Sequence, residues 1–342
     1  MSAARALRAH LETWRPYTLW YVGLVGLGGA AVAAGPHHPW RLLSAWAAPT
    51  AGWLGGHYLG DWFDRELDAG SKPHRPIPSD RLRARTAVAC GCACYAVLAV
   101  LAVAGGWGTT AAALLAGFGI VAYSRWLKAR GIAGNLVRGA LGAVALLYGA
   151  LAVGIPPGPS SAWALLLALT VAFWAHDAMS NLVGALRDID GDRAGGYETL
   201  PVRRGVPFAV RTVVALYAVT VGAALTAGLL AEPGARAAYL ATLLVVAVAG
   251  VAALAPLVTR RAGLPVAVAL RAHSVLVVER VVLASAVVGL GLGLAGQLLL
   301  ALPMVALTWW AQREMRARHE LGPATAGLAL ATHRRVSWED AP

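Results

Sequence analysis

The chain has 342 residues, of which 58% are hydrophobic and only 13% charged, and its mean hydropathy is +0.61. Soluble domains usually carry about 25% charged residues, so this composition excludes an ordinary soluble protein and predicts that most of the chain lies away from water. The formal net charge of +12 would suit a nucleic-acid-binding protein, but the placement of the basic residues argues against nucleic acid as a partner.

Apolar segments of membrane-spanning length, about 17–25 residues, recur along the whole chain. A backbone in hydrocarbon must satisfy its own hydrogen bonds, so these segments predict an all-α, polytopic transmembrane bundle. Ten candidates lie at 17–34, 40–60, 86–104, 108–124, 136–154, 162–184, 210–231, 237–257, 274–293 and 295–311. We expect an N-terminal cytoplasmic segment over 1–16, a bundle over 17–312 with functional loops at 61–85 and 185–209, and a polar tail over 313–342.

Basic residues divide unequally between the two sides of the predicted membrane. Of 29 lysines and arginines, 27 lie in the N-terminal segment, in alternate connections and in the tail, whereas the other connections hold only Arg41 and Arg236. The positive-inside rule assigns the basic side to the cytoplasm, and these loops would attract anionic lipid. The sequence therefore predicts a protein of the cytoplasmic (inner) membrane with membrane lipid, not nucleic acid, around it.

A first group of carboxylates follows the second predicted span on the basic side. It is spaced i, i+3, i+7, which predicts one helical face, and comprises Asp61, Asp64 and Asp68. His57 precedes it by one turn, and Lys72 and Arg75 follow it. Adjacent carboxylates repel, and a divalent cation would relieve that repulsion: Mg²⁺ typically takes one or two carboxylates plus phosphate oxygens. The group predicts a site for a metal-bound polyanion.

The connection after the fourth predicted span contains Lys128 and Asn135. Lys72 and Lys128 are the only lysines beside 27 arginines. Either the chemistry needs a compact ammonium at Lys128, or the residue is an ordinary cytoplasmic anchor.

A second group of polar residues ends and follows the sixth predicted span. If the helix continues, one face presents Asp177, Asn181, Asp188 and Asp192. Asp177 should lie within the membrane, where an ionisable residue is expensive and usually functional, and Asp190 should pair with Arg187 or Arg193. A single such group is ordinarily a solvated helix end. Two groups on the same side, each followed by a basic segment, favour a shared binding site.

These residues resemble the UbiA superfamily of intramembrane prenyltransferases. The first family signature, NxxxDxxxD followed by KPxRPIPSG, is matched from Gly60 through Asp64 and Asp68 to residues 72–79. The second signature, DxxxD followed by GxxTLPV, is matched by the second pair of aspartates and by residues 196–202.

The resemblance covers about residues 15 to 260 and has two departures. Gly60 stands where the family has asparagine, which puts substrate placement in doubt, and Asn181 stands where some members have aspartate. The family usually has nine spans, whereas this sequence predicts nine or ten helices.

The resemblance implies an Mg²⁺-dependent enzyme that ionises an allylic prenyl diphosphate and transfers the prenyl group to a lipophilic or aromatic acceptor. The implied catalytic residues are Asp64, Asp68, Asp188, Asp192, Lys72 and Arg75. The implied metal ligands are Asp61, Asp64, Asp68, Asp188 and Asp192. The implied substrate-binding residues are His57, Gly60, Asp61, Lys128, Asn135, Asp177, Asn181 and Arg193. The alternatives are a terpene cyclase on the same fold, a transporter, and a helical anchor without catalysis.

Overall fold

The computed structural model describes residues 3–33, 35–155, 161–316 and 319–320. Thirteen helices account for most of this part of the chain. In chain order they are α1 Ala3–Trp14, α2 Pro16–Val32, α3 Pro39–Phe63, α4 Arg65–Ser71, α5 Ala84–Gly105, α6 Trp107–Ala122, α7 Ala133–Val153, α8 Ser161–Arg187, α9 Ile189–Ala194, α10 Leu200–Arg204, α11 Val206–Leu230, α12 Pro233–Thr259 and α13 Val266–Ala311. Two π-helical turns follow α6 and α13, at Tyr123–Leu127 and Gln312–Arg316. Strands β1 Arg130–Gly131 and β2 Glu198–Thr199 pair in parallel.

Every predicted span coincides with a helix of the described residues. By length and composition, seven helices are long and apolar enough to cross a membrane; α2, with 17 residues, and α3, with an internal proline, complete the bundle. The polytopic all-α architecture predicted from the sequence is confirmed.

The last two predicted spans form one helical hairpin, α13. Gly293 has φ +73°, a left-handed conformation that glycine adopts without a steric cost. Gln312 Nε2 donates to the Ser274 carbonyl at 3.1 Å although the two residues are 38 apart in sequence. A straight helix would separate them by roughly 57 Å, so the chain reverses at Gly293. The described residues therefore contain ten segments of spanning length rather than nine.

Small residues allow the central helices to pack with their backbones in contact. A Cβ added at Gly149 of α7 would lie 1.7 Å from the Gly26 carbonyl oxygen of α2, and one at Gly29 would lie 1.9 Å from the Leu146 carbonyl oxygen. Such close approach is typical of helices that associate without a hydrophobic driving force. Around this contact Tyr21, Phe173 and Leu146 form the buried core.

The bundle brings four chain segments to one end. These are the α3–α4 and α8–α9 junctions, the connection that contains β1, and Glu320, which follows α13. Both aspartate groups interrupt their helices there: Asp64 separates α3 from α4 with ψ 0°, and Asp188 separates α8 from α9 with ψ 12°. The continuous face expected from Asp177 to Asp192 is therefore broken at Asp188. Most of the predicted tail over 313–342 lies outside the described residues.

Candidate active site

A cavity of about 820 Å³ opens at this end of the bundle, and both aspartate groups line it. Thirteen of the fourteen predicted site residues line this cavity: His57, Gly60, Asp61, Asp64, Asp68, Lys72, Arg75, Lys128, Asn135, Asp177, Asn181, Asp188 and Asp192. The fourteenth, Arg193, lies outside the lining. Its side chain is 64% exposed and lies 3.7 Å from Asp190. One chamber thus collects the two groups that are more than 100 residues apart in sequence.

The two lysines of the chain both pair with aspartates of the motifs. Lys128 Nζ donates to Asp64 Oδ2 at 2.6 Å, and Lys72 Nζ donates to Asp188 Oδ1 at 3.1 Å. Burial alone would lower the pKa of Lys128, but the Asp64 carboxylate raises it above its ordinary value. Lys128 therefore stays charged at the cavity wall, and Lys72 ties the segment after α4 to the α8–α9 junction.

Two arginines of the cavity also pair with aspartates of the motifs. Arg75 Nη1 donates to both oxygens of Asp68, at 3.0 and 2.8 Å. Arg187 donates to Asp188 through Nε at 3.0 Å and Nη2 at 2.6 Å. Asp188 also faces Lys72, and these positive charges hold its pKa below its ordinary value although burial alone would raise it. Asp188 is consequently ionised across the physiological pH range.

Glu320 lies at the centre of this cationic group. Its carboxylate is 3.0 Å from Arg187 Nη1, 3.4 Å from Lys72 Nζ and 3.5 Å from Arg75 Nη2. Burial alone would raise its pKa, but the charges of Arg187, Lys72 and Arg75 hold the pKa well below the ordinary range. No feature of the sequence around Glu320 predicted this contact, because its partners are more than 100 residues away.

Two aspartates of the cavity keep carboxylate oxygens available for a ligand. Asp61 accepts a hydrogen bond from Arg15 at Oδ1, but its buried Oδ2 has no hydrogen-bond partner among the described residues. Asp192 accepts from Thr199 Oγ1 at 3.0 Å and has no ion pair in that part of the chain. Burial, followed by the charge of Asp188, raises the pKa of Asp192 to about 6. A cation near Asp192 would lower this pKa, because its charge would counter both burial and the charge of Asp188.

The carboxylate oxygens of the cavity suit a divalent cation such as Mg²⁺ that takes its remaining ligands from the substrate. Within the described ranges, no three His, Cys, Asp or Glu side chains converge as a preformed metal centre. Mg²⁺ does not require one, because it usually keeps several waters and takes one or two carboxylates plus phosphate oxygens. The separated carboxylates of the two groups match that requirement.

The remaining predicted residues form the cavity walls. Asn135 Nδ2 donates to Asn181 Oδ1 at 2.8 Å, and Asn181 Nδ2 donates to the Tyr123 hydroxyl at 3.3 Å. His57 Nδ1 lies 3.1 Å from the Trp14 carbonyl oxygen and therefore donates to it. A Cβ at Gly60 would meet no atom of the described residues within 4 Å, so the missing asparagine leaves open space among them.

Several cavity residues escaped the sequence predictions, and one of them had a visible signal. Arg280 lies next to Glu279 inside the apolar segment 274–293, where paired charges are expensive and usually functional. Arg138 follows Asn135 by three residues, and its guanidinium lies 3.9 Å from the centroid of the Trp53 ring. Arg15 precedes Pro16 at the start of the first span.

Comparison with known proteins agrees with this geometry. The profile of the UbiA prenyltransferase family matches residues 21–265. The chain belongs to this family. It is therefore a prenyltransferase and an integral membrane protein, as the sequence predicted.

Two curated relatives of the chain share one name. The digeranylgeranylglyceryl phosphate synthase of Ignicoccus hospitalis is 35% identical over 216 residues, which cover 63% of this chain and 71% of the relative. The protein of that name from Thermococcus gammatolerans is 32% identical over 220 residues, covering 62% and 77%.

Solved structures share the fold. A UbiA homolog from Archaeoglobus fulgidus superposes with TM-score 0.64 at 15% identity, covering 83% of this chain and 98% of that one. The same homolog bound to DMAPP and Mg²⁺ gives TM-score 0.58 at 18% identity, covering 78% and 98%.

Proposed function

We propose that this prenyltransferase moves a prenyl group from an allylic diphosphate, in the presence of Mg²⁺, to a hydroxyl of a glyceryl phosphate ether. The observation that carries the proposal is the single cavity in which both aspartate motifs meet Lys72, Arg75 and Lys128. The name shared by the curated relatives supports the glyceryl phosphate acceptor. The A. fulgidus homolog with bound DMAPP and Mg²⁺ supports the donor and the cation. The aromatic acceptor expected from the sequence is included as a second acceptor in the test below.

In this proposal the two aspartate groups hold the cation and the basic residues hold the diphosphate. Asp64 and Asp68 on one side, and Asp188 and Asp192 on the other, would bind Mg²⁺, with Asp61 as a supporting ligand. Bound Mg²⁺ neutralises diphosphate charge.

The cavity residues provide the rest of the chemistry. As the allylic C–O bond breaks, its electron pair leaves with the diphosphate, whose added charge Lys72, Arg75 and Lys128 stabilise. Ile120 and Leu141 give the wall an apolar surface that limits capture of the allylic cation by water. Asn135 and Asn181 fix each other's side chains, and Gly60 leaves space for the substrate head. Arg193 lies outside the cavity and has no part in the proposed mechanism.

We also propose that the cavity opens to the cytoplasm, so that the allylic diphosphate enters from the bilayer with its head at that face. The basic residues support this orientation, because the cavity mouth carries Lys72, Lys128 and Arg187 and belongs to the side to which the sequence assigns 27 of the 29 basic residues.

The test is a product analysis by mass spectrometry. Purified protein in lipid nanodiscs would receive geranylgeranyl diphosphate and Mg²⁺ with one of three additions: a monogeranylgeranyl ether of glyceryl phosphate, 4-hydroxybenzoate, or no acceptor. We expect the diether of glyceryl phosphate, and no product in EDTA. A prenylated aromatic acid would contradict the acceptor, a cyclic hydrocarbon formed without acceptor would indicate a cyclase, and full turnover in EDTA would exclude the cation.

A further inference from the structure

The inner part of the cavity holds buried polar atoms that make no hydrogen bond within the described part of the chain. Asp177 and Arg280 are each 5% exposed and line the cavity. Both carboxylate oxygens of Asp177, Nε of Arg280 and Oγ of Ser180 lack a hydrogen-bond partner among the described residues. Asp177 Oδ1 lies 3.9 Å from Arg280 Nη1 and 4.0 Å from His176 Nδ1, and both distances are longer than a hydrogen bond. Buried polar atoms are nearly always paired, so this group is built to receive a ligand.

A second guanidinium gives this inner group an excess of positive charge. Arg138 lies 3.9 Å from the centroid of the Trp53 ring, and Arg280 lies 5.8 Å from the same centroid. Arg138 makes no ion pair or hydrogen bond within the described ranges. The other nearby carboxylate, Glu279, is already engaged by His176 at 2.6 Å. Two arginines against one aspartate inside a membrane protein are costly without an anion.

The unsatisfied atoms specify the kind of molecule that fits. Asp177 can only accept hydrogen bonds when ionised, and Arg138 and Arg280 can only donate. One ligand that satisfies both sides carries a hydroxyl for Asp177 and an anionic group for the arginines. The group lies about 15 Å deeper than Arg187, because Asp177 precedes it by ten residues of α8. This depth separates it from the cations that surround Glu320.

We infer that Asp177, Arg138 and Arg280 form the acceptor site and select an alcohol that bears a phosphate or a carboxylate. The inference rests on the proposed function and adds the residues that choose the acceptor. Arg138 and Arg280 bind the anionic group, and Asp177 holds the hydroxyl. When the acceptor oxygen bonds to the allylic carbon, the C–O bond to the diphosphate breaks, its electron pair leaves on the diphosphate, and the hydroxyl proton passes to Asp177.

The test compares two acceptors that differ only in the anionic group. Arg138→Gln is assayed with the monogeranylgeranyl ether of glyceryl phosphate and with the same ether lacking phosphate. We expect the wild type to prefer the phosphate ether by at least tenfold in kcat/KM, and the variant to lose most of that preference. Its KM for geranylgeranyl diphosphate should stay within about twofold of wild type, and Arg138→Lys should recover part of the preference. Arg236→Gln, at the opposite end of the bundle, is the matched control.

A binding measurement keeps this test separate from the proposed function. Calorimetry with the phosphate ether, without prenyl diphosphate, should show binding to wild type and at least tenfold weaker binding to Arg138→Gln. Asp177→Asn should keep that binding within about threefold while kcat falls at least tenfold. If wild type binds the phosphate ether but transfers nothing to it, the proposed function fails and the anion site stands. Equal binding by wild type and Arg138→Gln, or equal losses with both acceptors, would overturn the inference.

Discussion

The mouth and the inner end of the cavity differ in how their carboxylates are paired. At the mouth, Asp64, Asp68 and Asp188 each contact a lysine or an arginine, and Glu320 contacts three cations at once. At the inner end, neither oxygen of Asp177 has a hydrogen-bond partner in the part of the chain that the structure describes. An anionic ligand that binds the cations of the mouth must displace their carboxylate partners, whereas a ligand at the inner end supplies partners to Asp177. Affinity at the mouth therefore depends on competition with the protein's own carboxylates.

The largest expected effect comes from removing a charge at the mouth. Asp188→Asn should lower kcat/KM by about 10²–10³, because it takes away a ligand of the proposed cation and leaves Lys72 and Arg187 without their partner. The measurement is the rate of pyrophosphate release with saturating acceptor. Glu198→Gln is the matched control, since Glu198 is an exposed carboxylate of the same motif that lies outside the cavity lining. Equal losses in both variants would mean that the motif acts through folding rather than through the cavity.

Glu320 competes with a diphosphate for the cations at the mouth, so its removal should raise the affinity for prenyl diphosphate. Glu320→Gln removes the carboxylate that occupies Lys72, Arg75 and Arg187, so the KM for prenyl diphosphate should fall by about three- to tenfold, as expected for a charge-assisted contact. The exposed Glu314, in the π-helical turn before it, provides the control Glu314→Gln. An increase in KM for Glu320→Gln alone would show that Glu320 orders the cations instead of competing for them.

The raised pKa of Asp192 predicts a pH dependence of the folding stability. Its pKa is raised to about 6, above the ordinary value of about 3.9, so the folded state binds the proton more tightly than the unfolded state does. Asp192 therefore costs stability above pH 6, and the cost disappears as pH falls from about 6 to about 4.

The variant Asp192→Asn removes this cost. Without Mg²⁺ or substrate, its unfolding midpoint should exceed that of wild type by a few degrees at pH 7, roughly 2–4 °C per kcal/mol, and by nothing at pH 4. A midpoint difference that is independent of pH would contradict the raised pKa.

The smallest effect is expected at Gly60, on the wall between the two ends. Because no atom of the residues that the structure describes lies within 4 Å of an added Cβ, Gly60→Asn should fold normally and restore the family's side chain. We expect a change of about two- to threefold in the relative kcat/KM of prenyl diphosphates of different length, with the Mg²⁺ requirement unchanged. Identical kinetics with every substrate would mean that the position does not contact the ligand.

The sequence predicted the parts of this molecule that depend on local pattern. Apolar length located all ten spanning segments, and the spacing of the aspartates located the carboxylates of both motifs that line the cavity. The breaks at Asp64 and Asp188 were not predictable from carboxylate spacing, because a one-residue interruption leaves the spacing unchanged. The contact of Arg15 with Asp61 and those of Glu320 join distant segments, and no local periodicity encodes them. Arg280 did have a signal, as a charge inside an apolar segment.

Because the chain reverses at Gly293, the residues of the cavity mouth come together in a fixed order during synthesis. Arg75 and Glu320 are 245 residues apart in the chain, and ribosomes add about 5–20 residues per second, so roughly 12–50 s separate the emergence of the two partners. Until Glu320 emerges, the partners of these cations among the described residues are the aspartates of the cavity. The second arm of α13 must insert before Glu320 can reach them. Membrane insertion of the last hairpin is thus the step that completes the mouth.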